Sequence, residues 1–155
     1  MIDFEVEAQI ARPVGEVFAY VTDPAKLHTW QTNTVSVERL DEGQLRPGSR
    51  LREVHRAPGG RELASVVEVT ELELDHSFSL RVLEGLPVHA RISLEPVGAQ
   101  TRMRFAAHGQ PTGAYRLLQP ILRVALKRQF TRDCMTLKGL LESRQAYPGI
   151  APSSR

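Results

Sequence analysis

A chain of 155 residues with 41% hydrophobic and 25% charged side chains has ordinary globular composition and enough length to bury a core without disulfides or a structural metal. Twenty cations stand against eighteen anions, giving a net charge of +2 spread along the sequence, which argues against a nucleic-acid partner. No apolar run approaches the roughly 20 residues needed to span a bilayer, so integral membrane association is excluded from the expectations. The acidic, alternating start MIDFEVE lacks the basic and then apolar plan of a secretory signal, and the expected compartment is the cytoplasm. The lone Cys134 forms no internal disulfide, and nothing near it in sequence lowers its pKa, so an inert buried thiol is expected.

In chain order, Ile2, Phe4, Val6, Ala8 and Ile10 alternate with polar residues, the period of a strand with one wet face. The period then changes. Val14, Val17, Phe18 and Val21 fall at i, i+3, i+4 and i+7, a short helix with Pro13 in its first turn. Asp23 caps a second short helix that Pro24 starts, and Trp30 closes the segment as a large apolar anchor. Strands are expected over 34–40, 50–56, 61–72, 78–83, 88–94 and 101–107, with 50–56 and 61–72 joined as a hairpin by Ala57-Pro58-Gly59-Gly60. Residues 96–100 read as a break. From Gly113 to Gln145 the period is helical again, with Leu118, Ile121, Leu122, Ala125, Gln129, Thr136, Leu137, Leu140 and Leu141 as the expected stripe. Pro120 lies in its first turns and predicts a kink or a delayed start. Residues 147–155 are expected to be a loose tail, leaving one domain over 1–146.

Short turns pair strands antiparallel, and the final helix is the one large amphipathic element able to cover a sheet face. The fold class is therefore α+β: a curved antiparallel sheet of about seven strands around a long C-terminal helix, with two short helices after the first strand. The order and spacing of Pro13-Val14-x-x-Val17-Phe18, Val21-x-Asp23, Trp30, Pro47-Gly48-Ser49-Arg50, the strand 101–105 and Leu137-x-x-Leu140-Leu141-Glu142 carry a resemblance. The chain resembles the START/Bet v 1-like helix-grip (SRPBCC) superfamily, specifically its bacterial polyketide cyclase/dehydrase and lipid-transport branch. That resemblance implies a cavity between sheet and helix for a hydrophobic small molecule: a lipid, an isoprenoid or a polyketide.

Alternation places Glu53 and His55 on the face of Leu51, opposite Arg50, Arg52 and Arg56, so an inward register brings both into the implied cavity. They are the candidate catalytic pair, able to orient a ligand hydroxyl or carbonyl or to move a proton. Ser65 and Val67, Leu80 and Val82, Ile92, and Phe105 are the candidate ligand-binding residues of the other strands. Tyr115, Leu118 and Leu122, with Phe130, are expected to close the cavity from the helix. His28, His89 and His108 read as solvent-facing and His76 as a turn residue. No histidine spacing or acidic cluster suits a metal, and no phosphate loop, dinucleotide fingerprint or nucleophile elbow occurs, so neither metal nor cofactor is expected. Arg116, Arg123, Lys127, Arg128 and Arg132 form a solvated basic face that allows transient membrane contact.

Three functions compete on these residues. A binding or transport module needs only an apolar lining and one or two polar anchors, and is favoured. A cofactor-free aromatase/cyclase would use Glu53 and His55 with Tyr115 or Ser65 as proton carriers. A protein-interaction module, resembling the stress-response and chaperone-activator members of the superfamily, would have a filled cavity.

Overall fold

Every segment expected as a strand joins one antiparallel sheet. The computed structural model describes residues 1–57 and 59–146, so Pro58 of the expected turn and the expected tail over 147–155 lie outside the described residues. The strands are β1 (Ile2–Ile10), β2 (Thr34–Arg39), β3 (Arg50–Arg56), β4 (Glu62–Glu73), β5 (Ser77–Glu84), β6 (Val88–Val97) and β7 (Gln100–Gly109). Their order across the sheet is β1-β7-β6-β5-β4-β3-β2, so consecutive strands pair from β2 to β7 and β1 closes beside β7. β6 runs through Pro96, past the expected break, and turns into β7 at Gly98, whose φ of 62° suits glycine.

Between β1 and β2 lie α1 (Val14–Val21), a single 3-10 turn (Pro24–Lys26) and α2 (Leu27–Trp30). Pro13 stands one position earlier than expected, as the extended residue that caps α1 rather than within its first turn. Asp23 accepts from the Ala25 N–H at 3.0 Å, the expected cap. The expected single helix divides into α3 (Ala114–Leu117) and α4 (Gln119–Ala146), with Leu118 between them. Pro120, which cannot donate to Arg116, delays the start of the long helix.

The inward stripe of α4 is half-buried Leu122, Leu126 and Phe130 followed by buried Asp133, Cys134, Leu137 and Leu141, so the expected stripe holds at Leu122, Leu137 and Leu141, with Leu140 half-buried against the core. Ile121 and Ala125 face solvent and Gln129 is half-buried. The observed stripe advances mostly by four residues with one step of three at Asp133/Cys134, and these two members are an aspartate and a cysteine that an apolar search skips. Burial drives the Cys134 thiol up to about 12, so the thiol is inert as expected.

The helix lies along β1 and against α2, running in the same direction as β1. At its far end Lys138 Nζ donates to the Gln9 carbonyl at 2.6 Å, and Glu142 accepts from the Ala11 N–H and Lys138 at 2.8 Å each. Here Ile10, Leu51, Val69, Leu94 and Met103 of the sheet meet Val17, Val21, Leu137 and Leu141, all buried. A fully buried aliphatic side chain of this kind contributes about 1.5–3 kcal/mol. Midway, the Phe130 ring stacks on Phe105 at 4.0 Å and meets the edge of Phe4 at 5.1 Å, while Phe105 faces Trp30 at 5.9 Å.

A buried polar staple fixes the helix to the α2–β2 turn. Asp133 Oδ1 accepts from the Thr32 N–H at 3.0 Å, the Thr32 hydroxyl at 3.1 Å and Gln129 Nε2 at 2.8 Å. Burial raises the Asp133 pKa and these hydrogen bonds only partly offset it. At Glu142 the Lys138 bond comes first and holds the carboxyl below its ordinary range. The two carboxyls therefore oppose each other in pH. Asp133 binds its proton more tightly when folded, so its contribution is greatest in acid and declines as pH rises above about 4; Glu142 contributes above its ordinary range and loses that as pH falls below about 4. Denaturant midpoints measured across this range should show wild type gaining on Asp133→Asn as pH falls and losing ground to its present advantage over Glu142→Gln.

Gly109 sets the opposite end. It pairs with both Ile2 and Val88, and a Cβ there would lie 2.5 Å from the Pro87 carbonyl oxygen and 3.3 Å from Val88 Cα. Gly109→Ala is expected to destabilise by about 1–3 kcal/mol, read as a lower denaturant midpoint with unchanged slope.

Candidate ligand site between sheet and helix

The inner face of the sheet is not covered evenly. At the β1 side, Leu122, Leu126 and Phe130 bury Ile2, Phe4 and Ala107. Across the same end of the sheet, on β3 to β5, the inner residues stay open: His55, Ser65, Leu80 and Val82 are half-buried and Leu63 is 49% exposed. The antiparallel register brings them together, with Glu53 opposite Ser65, His55 opposite Leu63, and Val67 opposite Val82. Gly85 lets the β5–β6 turn close on this wall, since a Cβ there would come within 3.1 Å of Ser65 Cβ.

Within this apolar wall Glu53 is 5% exposed, and Arg50, Arg52 and Arg56 on the opposite face are exposed. Glu53 Oε2 lies 3.0 Å from His55 Nε2, and His55 Nδ1 lies 3.3 Å from Thr34 Oγ1. The histidine is the outer member, with 29% of its side chain exposed against 7% for Glu53. Glu53 Oε1 is buried with no hydrogen-bond partner among the described residues. An acceptor left unsatisfied in this way costs about 1–3 kcal/mol, which a bound donor would recover.

Thr34 reaches His55 because of a bulge. Thr34 pairs with His55 and Ser36 with Val54, so Val35 is the extra residue, and Thr34 shares the inner face with Val37 despite their odd spacing. The Thr34 hydroxyl also lies 3.3 Å from Gln31 Oε1. With Glu53 as a carboxylate, His55 Nε2 carries a proton and donates to it. The single hydroxyl proton of Thr34 then has two uses. Donated to His55 Nδ1, it matches a neutral ring; donated to Gln31, it frees Oγ1 to accept from Nδ1–H of an imidazolium. The chain Gln31–Thr34–His55–Glu53 can thus accommodate a proton gained or lost at the histidine by rotation of one hydroxyl.

The other candidates fall into two groups. Val67, Ile92 and Phe105 are buried in the packed part of the core, with Phe105 held between the rings of Phe130 and Trp30. Leu122 is half-buried over the Phe4 cluster, whereas Tyr115 and Leu118, expected to close the cavity, are about half exposed beside the break before α4. Their outward position follows from the restart of the helix at Pro120, which leaves α3 packed on α4. Trp30 is wholly buried, as an anchor should be, with its indole N–H unpartnered among the described residues. Sequence reading missed Gln31, Thr34 and Asp133, and took Gln129 only as a member of the helix stripe. The i, i+4 pair Gln129 and Asp133 on an otherwise apolar helix face was the available signal; the bulge at Val35 left none.

The outer face carries ion pairs and few apolar groups. Arg102 and Arg104 meet Glu5, Glu7 and Glu95, Arg81 meets Glu68, and Arg91 meets Glu71. His28 and His108 are exposed as expected and His76 lies in the β4–β5 turn as expected, whereas His89 is less exposed than its expected solvent-facing position. His89 is half-buried against Thr70 at 3.1 Å, and desolvation, then the neighbouring His108 and Arg81, lower its pKa. No group of three or more His, Cys, Asp or Glu among the described residues could hold a metal, and no helix among them is long and apolar enough to cross a membrane.

Solved structures share this architecture. A START superfamily protein of Mycobacterium smegmatis is 14% identical, with 91% of this chain and 97% of that one covered at a TM-score of 0.78. An aromatase/cyclase of Streptomyces sp. R1128 is 17% identical, with 92% and 94% covered at 0.75. A protein of Nitrosomonas europaea is 22% identical, with 94% and 97% covered at 0.72. No curated protein matches the sequence. The sequence model described as polyketide cyclase/dehydrase and lipid transport matches residues 1–142, nearly the whole described chain. The chain therefore belongs to the polyketide cyclase/dehydrase and lipid transport family, with a helix-grip fold of the START type.

Proposed function

We propose that this protein binds a lipophilic small molecule on the open part of its inner sheet face, between β3–β5 and α4, and anchors it through Glu53 and His55. The carrying observation is the buried, unpartnered Glu53 Oε1 beside a partly exposed histidine on an otherwise apolar wall. An apolar body would cover Leu63, Leu80 and Val82, while a ligand hydroxyl or enol would donate to Glu53 Oε1 beside the His55 ring. The domain is taken as residues 1–146 and its compartment as the cytoplasm, where Cys134 stays reduced.

A second reading has support from the relay through Thr34. A proton leaving an enolisable ligand would pass to the Thr34 hydroxyl as that hydroxyl gives its own proton to His55 Nδ1, and Glu53, accepting from Nε2–H, would stabilise the imidazolium, which is the arrangement a cofactor-free cyclisation or dehydration needs. The aromatase/cyclase of like fold makes polyketide chains the first substrates to try. The packed aromatic row of Phe4, Phe130, Phe105 and Trp30 fills the middle of the grip but leaves the β3–β5 wall open, which weighs against a wholly filled interaction module.

Native mass spectrometry of the purified protein, followed by titration with fatty acids, quinones and aromatic polyketides, is expected to show one bound apolar molecule. Glu53→Gln should weaken the preferred ligand about tenfold, because an acceptor bond to a charged group contributes about 1.5–3 kcal/mol. No binding across that panel would overturn the ligand reading. For the catalytic reading, His55→Ala and Glu53→Gln should each abolish cyclisation of a ligand they still bind; turnover retained in both would exclude it.

A further inference from the structure

From Gln110 to Arg132 the chain holds Arg116, Arg123, Lys127, Arg128 and Arg132 and no acidic residue, so this stretch carries five positive charges. The remainder carries fifteen cations against eighteen anions and is net negative. All five cations are exposed, and none pairs with a carboxylate among the described residues, whereas most outer-sheet arginines do. Arg123 donates to the Asp3 carbonyl and Arg132 to Gln129 Oε1, leaving Arg116, Lys127 and Arg128 with charge directed to solvent. The start of α4 has no acidic residue to complement its dipole.

Large apolar side chains stand among these cations. Leu117 is 85% exposed and Ile121 67%, with Val124 about half exposed. Ile121, Val124 and Arg128 share the face of α4 opposite the half-buried, inward Leu122, Leu126 and Phe130. Exposing aliphatic chains at this density gains nothing in a monomer surrounded by water. The elbow between α3 and α4 also sits at the end of the sheet where His55, Leu63, Ser65 and Val82 remain open, because Leu122 packs against the Ile2, Phe4 and Ala107 cluster at that end.

We propose that the α3–α4 elbow docks on an anionic lipid surface, with Leu117, Ile121 and Val124 entering the acyl boundary and Arg116, Lys127 and Arg128 contacting headgroups. Aliphatic groups flanked by unpaired cations are complementary to an apolar layer under a negative one, and the long cationic side chains extend outward while their stems cover the apolar step. The docked face is continuous with the open end of the grip. The proposal does not depend on the identity of any ligand.

Sedimentation of the full chain with phosphatidylcholine vesicles, with or without about one third phosphatidylglycerol, tests it. Binding is expected to the anionic vesicles, to weaken with added salt, and to be slight on the neutral ones. Lys127→Glu and Arg128→Glu should each lower partition at least about fivefold, the worth of one charge near such a surface. Leu117→Asp with Ile121→Asp should abolish it with thermal melting unchanged, since both side chains are already exposed. Leu117→Trp should show a blue-shifted emission only with anionic vesicles. Absence of partition in the wild-type chain, or equal partition by the aspartate pair, overturns the proposal, and the first result would leave the patch to an acidic protein. Vesicle binding is read without ligand, so its failure is separate from failure of the pocket.

Discussion

One helix must cover a seven-stranded sheet, and the dimensions do not match. Seven strands at about 4.8 Å spacing span roughly 34 Å, while a helix with its side chains is about 10–12 Å wide, so α4 can shield only two or three strands however the sheet curves. It lies along β1, while α1 contacts β6 and β7 and α2 stands between α4 and β2. What remains is a strip of inner face at one end of β3 to β5 that no element among the described residues covers. The aliphatic residues there are half-buried because of this shortfall in width, not because any local sequence is unsuited to a core.

The closed end and the open end of the same strands therefore differ in kind. Leu51 and Glu53 are two residues apart on one face, yet the first lies in a dry core and the second faces a hydrogen-bonding shortfall. Asp133, by contrast, collects three donors and ties the helix to the turn that presents Gln31 and Thr34. Through that turn the position of the helix is mechanically linked to the relay at His55.

Alternation of period 2 was strong enough in the sequence to give all seven strands and the inward register of Glu53 and His55, because each strand has one wet face rich in charge. The helix was harder to read. Its exposed face carries Ile121 and Val124, and its buried face carries Asp133, so hydrophobicity pointed partly to the wrong side. The partners of His55 were invisible for a different reason: Val35 is an ordinary strand residue, and only the pairing with β3 shows that it is the extra one. Interior residues such as Val67, Ile92 and Phe105 could not be separated from lining residues by alternation, since both kinds share a face and differ only in what lies above them.

The bulge at Val35 lies on β2, the outermost strand of the sheet, whose far edge has no neighbour in the sheet order. A regular edge strand offers a row of free N–H and C=O groups to any other extended chain, and an inserted residue breaks that row and increases its twist. The same extra residue that turns Thr34 toward His55 therefore also guards the sheet against adding a foreign strand. Protection from aggregation and the geometry of the relay are held by one position, so a chain that lost Val35 to regularise its edge would give up both together.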